Sequence, residues 1–155
     1  MRALVGCEES GIVTQALRRR GHEAYSCDLL PTRGNPAYHY QADIKDILRT
    51  EGRWDLVILH PDCTRLAVSG NRWYGKGMEK HDERLWAIEW TLDLWERAKE
   101  KSDRIALENP VSVIFKHLDA PVQYVQPWQF GHGETKKTGL ALHLSLIHIS
   151  EPTRL

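Results

Sequence analysis

Four apolar residues, Leu56-Val57-Ile58-Leu59, run into His60-Pro61-Asp62-Cys63. A continuous apolar run of this kind describes a strand buried on both faces, as in a parallel sheet. The chain therefore delivers a thiol just past a strand's tip. A thiol turns nucleophilic when nearby positive charge or a helix dipole stabilises its thiolate. Here Pro61 stiffens the loop, while His60 and Arg65 offer the charge. Glu108-Asn109-Pro110 follows a second apolar segment, Arg104 to Leu107, and its carboxylate is expected beside Cys63. A thiolate paired with a carboxylic acid is what addition to an electron-poor heterocycle needs. The sulfur attacks ring carbon six of a pyrimidine while the acid protonates or hydrogen-bonds ring nitrogen three. The structural alternatives are a cysteine that is a small buried hydrophobe and a Glu or Asn that caps a helix.

Further polar residues sit where other strands should end. Gly6-Cys7-Glu8-Glu9-Ser10-Gly11 forms a strand-to-helix turn bracketed by glycines, a place where backbone amides approach a ligand closely. It is neither a Gly-Lys-Ser/Thr phosphate loop nor a GxGxxG fingerprint. Its carboxylates, Glu8 and Glu9, disfavour a pyrophosphate and suit a ligand with a positive centre. Asp28 closes the second strand and can accept both hydroxyls of a ribose, or simply face solvent. Asp43 closes the next unit. Cys7 and Cys27 read as small buried hydrophobes.

The elements that must position these groups alternate. Ala3 to Val5 reads as a strand, residues 11 to 20 as a helix, His22 to Cys27 as a strand and Trp54 to Leu59 as another. A short helix is expected through Leu48 and a long one from about Asp82 to residue 100. Residues 64 to 82 read as a long polar loop, and strands near Tyr124 and from Leu140 to Leu144 complete the pattern. Such alternation predicts an α/β fold, a mostly parallel sheet with helices on both faces. Ligands then bind beyond the carboxyl ends of its strands, where all the polar residues named above fall.

Composition sets outer bounds. With 155 residues the chain has room for one domain, and 21 Lys and Arg balance 21 Asp and Glu. Net charge therefore gives no global argument for nucleic acid. Three cysteines without CxxC spacing argue against a disulfide framework or zinc knuckle, so no metal is expected. No apolar window approaches a membrane span, and the expected location is cytoplasmic.

In this order the motifs resemble those of the DNA cytosine-5 methyltransferases, in particular the short phage-type proteins similar to that family. The likeness rests on the glycine loop, Asp28, Ala42-Asp43-Ile44, the Pro-x-Cys loop, the Glu-Asn loop and the segment from Gln126 to Thr138. It covers residues 2 to 144 and implies a Rossmann-like class I methyltransferase domain, incomplete at its C-terminus. S-adenosylmethionine would lie over Gly6, Cys7, Glu8, Glu9 and Gly11, with its ribose on Asp28, its adenine side near Asp43 and Pro61 as a wall. Cys63 would be the nucleophile and Glu108 would hold the ring nitrogen. Asn109, Lys136, Thr138 and Trp73 would contact DNA, the implied partner; no membrane or obligate protein partner is implied. The target cytosine must leave the stack to react. Departures from the family pattern are Asp62 between Pro61 and Cys63, and Lys136 and Thr138 where the family has arginines.

Two other readings stay open. An exocyclic amino-methyltransferase would want Pro-Pro-aromatic after the same strand, and a zinc deaminase would need His-x-Glu with Cys-x-x-Cys; neither motif is present. A catalytically inactive nucleotide-binding module is the reading of another class. The segment from Leu66 to Lys80 sets Trp73 and Tyr74 among Arg72, Lys76 and Lys80, which suggests a lid over the flipped base or else a plain surface loop. The last residues, 145 to 155, resemble a translated sequencing adapter and are expected to be non-native.

Overall fold

The computed structural model describes residues 1–145, so the tail sequence lies almost wholly outside the described residues. Its strands are β1 (Arg2–Gly6), β2 (Glu23–Asp28), β3 (His39–Gln41), β4 (Leu56–Leu59), β5 (Arg104–Pro110), β6 (Val122–Val125) and β7 (Thr138–Leu144). The helices are α1 (Ile12–Arg19), α2 (Ile44–Thr50), α3 (Asn71–Tyr74) and α4 (His81–Lys101). The seven strands make one sheet in the order β3-β2-β1-β4-β5-β7-β6. All pairings are parallel except those of β7, which runs antiparallel to both β5 and β6.

The chain starts mid-sheet at β1, moves outward to β3, and returns to β4 on the other flank of β1. Right-handed crossovers then require α1 and α2 to lie on opposite faces. α4 packs with α2. Between them they cover Leu4, Val57, Leu59, Ile105 and Leu107, with Ile47 and Leu48 from α2 and Leu94, Trp95 and Ala98 from α4. Trp95 is buried, and its indole N–H donates to Asp119 Oδ1 at 2.9 Å, which ties α4 to the turn after β5. The order of strand addition reverses between the parallel neighbours β1 and β4, so the crevice at their carboxyl ends is the natural ligand site.

Two expectations change, and the direction of β7, which the sequence reading left open, is settled. His39–Gln41 forms a strand that its short polar sequence does not announce. β7 is antiparallel because β6 returns through a direct hairpin and needs no crossover helix. Residues 64 to 82 are not a loose loop. Leu66 and Ala67 are buried, Val68 to Tyr74 is helical, and the buried Arg84 side chain holds the segment from beneath. That guanidinium donates to the Arg65 and Ala67 carbonyls at 2.7 and 3.0 Å and to Asn71 Oδ1 at 2.7 Å. Among the described residues no helix is long and apolar enough to cross a membrane.

Candidate active site

The loop after β1 turns sharply. Cys7 has φ 59 and Gly11 φ 72, both left-handed. Glycine is needed at position 11, where an added Cβ would also come within 3.2 Å of Gly34 Cα. Glu8 is buried and caps α1: Oε1 accepts from Val13 N–H at 2.6 Å, and Oε2 from Thr14 N–H at 3.3 Å and Thr14 Oγ1 at 2.6 Å. Negative charge belongs at a helix N-terminus, so this carboxylate serves the helix. Glu9 pairs with Arg33, its Oε1 at 2.6 Å from Nε. Neither acid faces the cavity in which a sulfonium was expected to meet them.

That cavity, of about 360 Å³, opens at the carboxyl ends of β1, β2 and β4. Cys7, Asp28 and Asp43 line it, joined by Asp62, Arg65 and the α4 residues Trp86 and Trp90. Gly6, Glu8, Glu9, Gly11 and Pro61 are not among its lining residues. Asp28 uses Oδ1 to accept from Leu30 N–H at 2.9 Å, and Asp43 caps α2 by accepting from Lys45 N–H at 2.8 Å. Both turns fix a carboxylate at the rim. Burial, then Asp28, Asp43 and Asp62, push the Cys7 thiol up to about 12. Cys27 rises to about 12 as well, chiefly through burial, and donates to the Ala42 carbonyl at 3.3 Å. Both thiols are inert walls. The acidic field that sequence reasoning assigned to Glu8 and Glu9 therefore comes from three aspartates. It suits a cationic ligand, and the volume falls in the range for small-molecule and cofactor sites.

The α4 contribution was missed. Its signal was Trp86 and Trp90 four residues apart, with Ala87 and Thr91 on the same helical face. Trp86 stays exposed, so this was not a simple core stripe.

The β4 loop reaches the cavity through Asp62 and Arg65, and the β5 exit lies beside that loop. Leu59 pairs with Leu107, so the next residues, His60 and Glu108, are neighbours. His60 Nδ1 donates to Glu108 Oε2 at 3.1 Å. Asn109 is buried and donates to the Pro61 carbonyl at 3.0 Å, which locks the two loops together. Asp62 Oδ1 accepts from Thr64 N–H at 2.9 Å and from its hydroxyl at 2.7 Å. The Cys63 carbonyl then accepts from Leu66 and Ala67 N–H, which sets the cysteine on a tight, Asp-capped turn. Its thiol is free and half-buried. The structure thus ties Glu108 to His60 and Asn109 to Pro61, two residues before Cys63; His60, read from the sequence as a charge beside the thiol, pairs instead with the Glu108 carboxylate. Lys136 and Thr138 lie on the hairpin between β6 and β7, with Thr138 donating to the Lys136 carbonyl at 3.0 Å. Trp73 stands on α3, exposed.

The sequence matches no family model, and no curated protein matches it. Solved structures match its fold. The delta-N METTL16 MTase domain aligns with a TM-score of 0.56 and 11% identity over 92% of this chain and 74% of that one. TrmN from Thermus thermophilus gives 0.57 and 15%, over 93% of this chain and 44% of that one. The bifunctional kinase-methyltransferase WbdD gives 0.54 and 12%, over 90% of this chain and 34% of that one, so the chain spans about a third of that neighbour's length. At such identities the likeness is one of fold. The fold is the Rossmann-like one seen in these methyltransferase structures.

Proposed function

We propose that this chain is an S-adenosylmethionine-dependent methyltransferase that modifies carbon five of cytosine in DNA through a covalent bond to Cys63. One observation supports the reading: the Asn109 side chain ties the end of β5, which carries Glu108, to the loop that leads from β4 to Cys63, and Asp62 of that loop lines the acidic cavity. Asp28 and Asp43 would hold the cofactor's ribose and adenine sides, with Trp86 and Trp90 as an apolar wall. The bound cofactor supplies an electrophilic methyl group.

The rest falls to the chain's own groups. Cys63 sulfur adds to ring carbon six, and Glu108 holds ring nitrogen three so that the electron pair returning to the ring is accommodated. Carbon five thereby gains the nucleophilicity to take the methyl group. Loss of its proton and elimination of the thiolate then release the product. His60 orients the Glu108 carboxylate. Asp62 orders the turn and pairs loosely with Arg65, Oδ2 to Nη1 3.7 Å. This answers the departure from the family pattern: the acid between Pro61 and Cys63 has a structural task. Lys136, Thr138 and Trp73 are the proposed DNA contacts.

The test is incubation with labelled cofactor and DNA, followed by analysis of the nucleosides. The proposal expects 5-methylcytosine and its loss in Cys63→Ala. Methylation of an exocyclic amine that survives Cys63→Ala would assign the amino-methyltransferase class instead, and cofactor binding without any transfer would mark an inactive module.

A further inference from the structure

Two arms project from the edge of the sheet that carries Cys63. The first is residues 64 to 80, which leaves β4 and is bound to the β5 exit: Val68 N–H donates to the Val111 carbonyl at 2.9 Å, and Ala67 bridges to Ser112. The second is the hairpin between β6 and β7. Val125 pairs with Thr138, and Pro110 pairs with Thr138 from the other side, so residues 126 to 137 emerge beside the end of β5.

Both arms present large aromatics to solvent on locally rigid turns. Trp73 is 56% exposed, Trp128 58% and Phe130 70%. Arg84 holds α3 in place as described above, and the Tyr74 carbonyl accepts from His81 Nδ1 at 3.0 Å. On the hairpin, Pro127–Phe130 forms a single helical turn. Gln126 N–H donates to Gln129 Oε1 at 2.7 Å, and Gly131 closes the turn with φ 86. Exposed rings on unstructured chain would collapse or fray; here the backbone hydrogen bonds hold them out.

The charges around the rings set the partner. Arg72, Lys76 and Lys80 face Glu79 alone in the first arm, and Lys136 and Lys137 face Glu134 alone in the second. A chain with zero net charge thus places a local cationic excess within these two arms. The Arg72 guanidinium lies 5.2 Å from the Trp73 ring centroid and Lys137 Nζ lies 4.5 Å from that of Tyr124. Protein-protein interfaces deplete lysine at their cores. Aromatics interleaved with lysine and arginine are the surface that tracks phosphates while stacking bases.

We propose that the two arms form a platform for unpaired nucleotides flanking the target base, with Trp73 and Phe130 stacking bases on either side of the Cys63 mouth. The substrate is then single-stranded or locally melted rather than a closed duplex, because bases inside a duplex offer no free ring face. This rests on the nucleic-acid reading above, and its test is independent of methyl transfer.

The Cys63→Ala protein is titrated with a fluorescent single-stranded oligonucleotide and with the same sequence as a blunt duplex, without cofactor. Single strand is expected to bind at least about tenfold tighter. Trp73→Ala and Phe130→Ala should each weaken it by about tenfold, while Trp73→Phe restores binding. Equal affinity for the two forms, or alanine variants that bind as the parent does, would overturn the platform even if methyl transfer were intact. Strong stacking-dependent binding without methyl transfer in the unmutated chain would support the platform and count against the cytosine-5 reading alone.

Discussion

At the scale of single residues the three cysteines part company. Burial lifts the Cys7 and Cys27 thiols to about 12, with Asp28 and Asp43 adding to both. Cys63 sits half-buried on its own turn. A thiol alkylating reagent at pH 8 is therefore expected to modify Cys63 in the native protein, with the other two protected until unfolding. Peptide mapping that finds Cys7 or Cys27 modified at a similar rate would contradict this. The same shifts fix a pH dependence. An ordinary thiol titrates near 9.0, so between about pH 9 and 12 the native state holds protons that the unfolded chain has lost. Stability must fall as pH rises through that window. The acid residues show how far sequence reasoning reaches. Asp28 was legible because it ends a strand, and Asp43 because it opens the helix of the next unit. Glu8 was not, because a capping carboxylate and a ligand-facing one look alike in a string of letters.

At the scale of elements, two side chains hold the site's scaffolding. Glu8 accepts bonds from the first turn of α1, and Glu8→Ala should cost about 2 kcal/mol, as loss of charged hydrogen bonds does. A urea midpoint unchanged in that variant would refute the capping role. Arg84 ties α4 to the segment that follows Cys63. Sequence periodicity found α4 and β4 because their apolar letters are long and regular. It missed β3, whose His-Tyr-Gln shows no alternation. It also read residues 64 to 82 as loop, since the buried anchor, Arg84, is charged and lies in the next helix. Strand direction was equally hidden: the letters of β7 are apolar, and only pairing with β5 and β6 makes it antiparallel.

For the whole molecule, the strand order decides where chemistry sits. Starting at β1 and returning to β4 places both carboxyl ends around one crevice, and the acidic cavity occupies it. The alternating α/β pattern made this architecture readable from the sequence, because the rule that ligands gather at carboxyl ends needs only strand order. The cavity wall from α4 was beyond that rule, since it depends on how a helix is rotated against the sheet. The most direct measurement is trapping on DNA that carries 5-fluorocytosine, with cofactor present, followed by mass spectrometry of the digested complex. Fluorine at carbon five cannot leave as a proton does, so a thioether between the base and the peptide bearing Cys63 is the predicted product. Methylated DNA with no such adduct, or an adduct that persists in Cys63→Ala, would contradict the account.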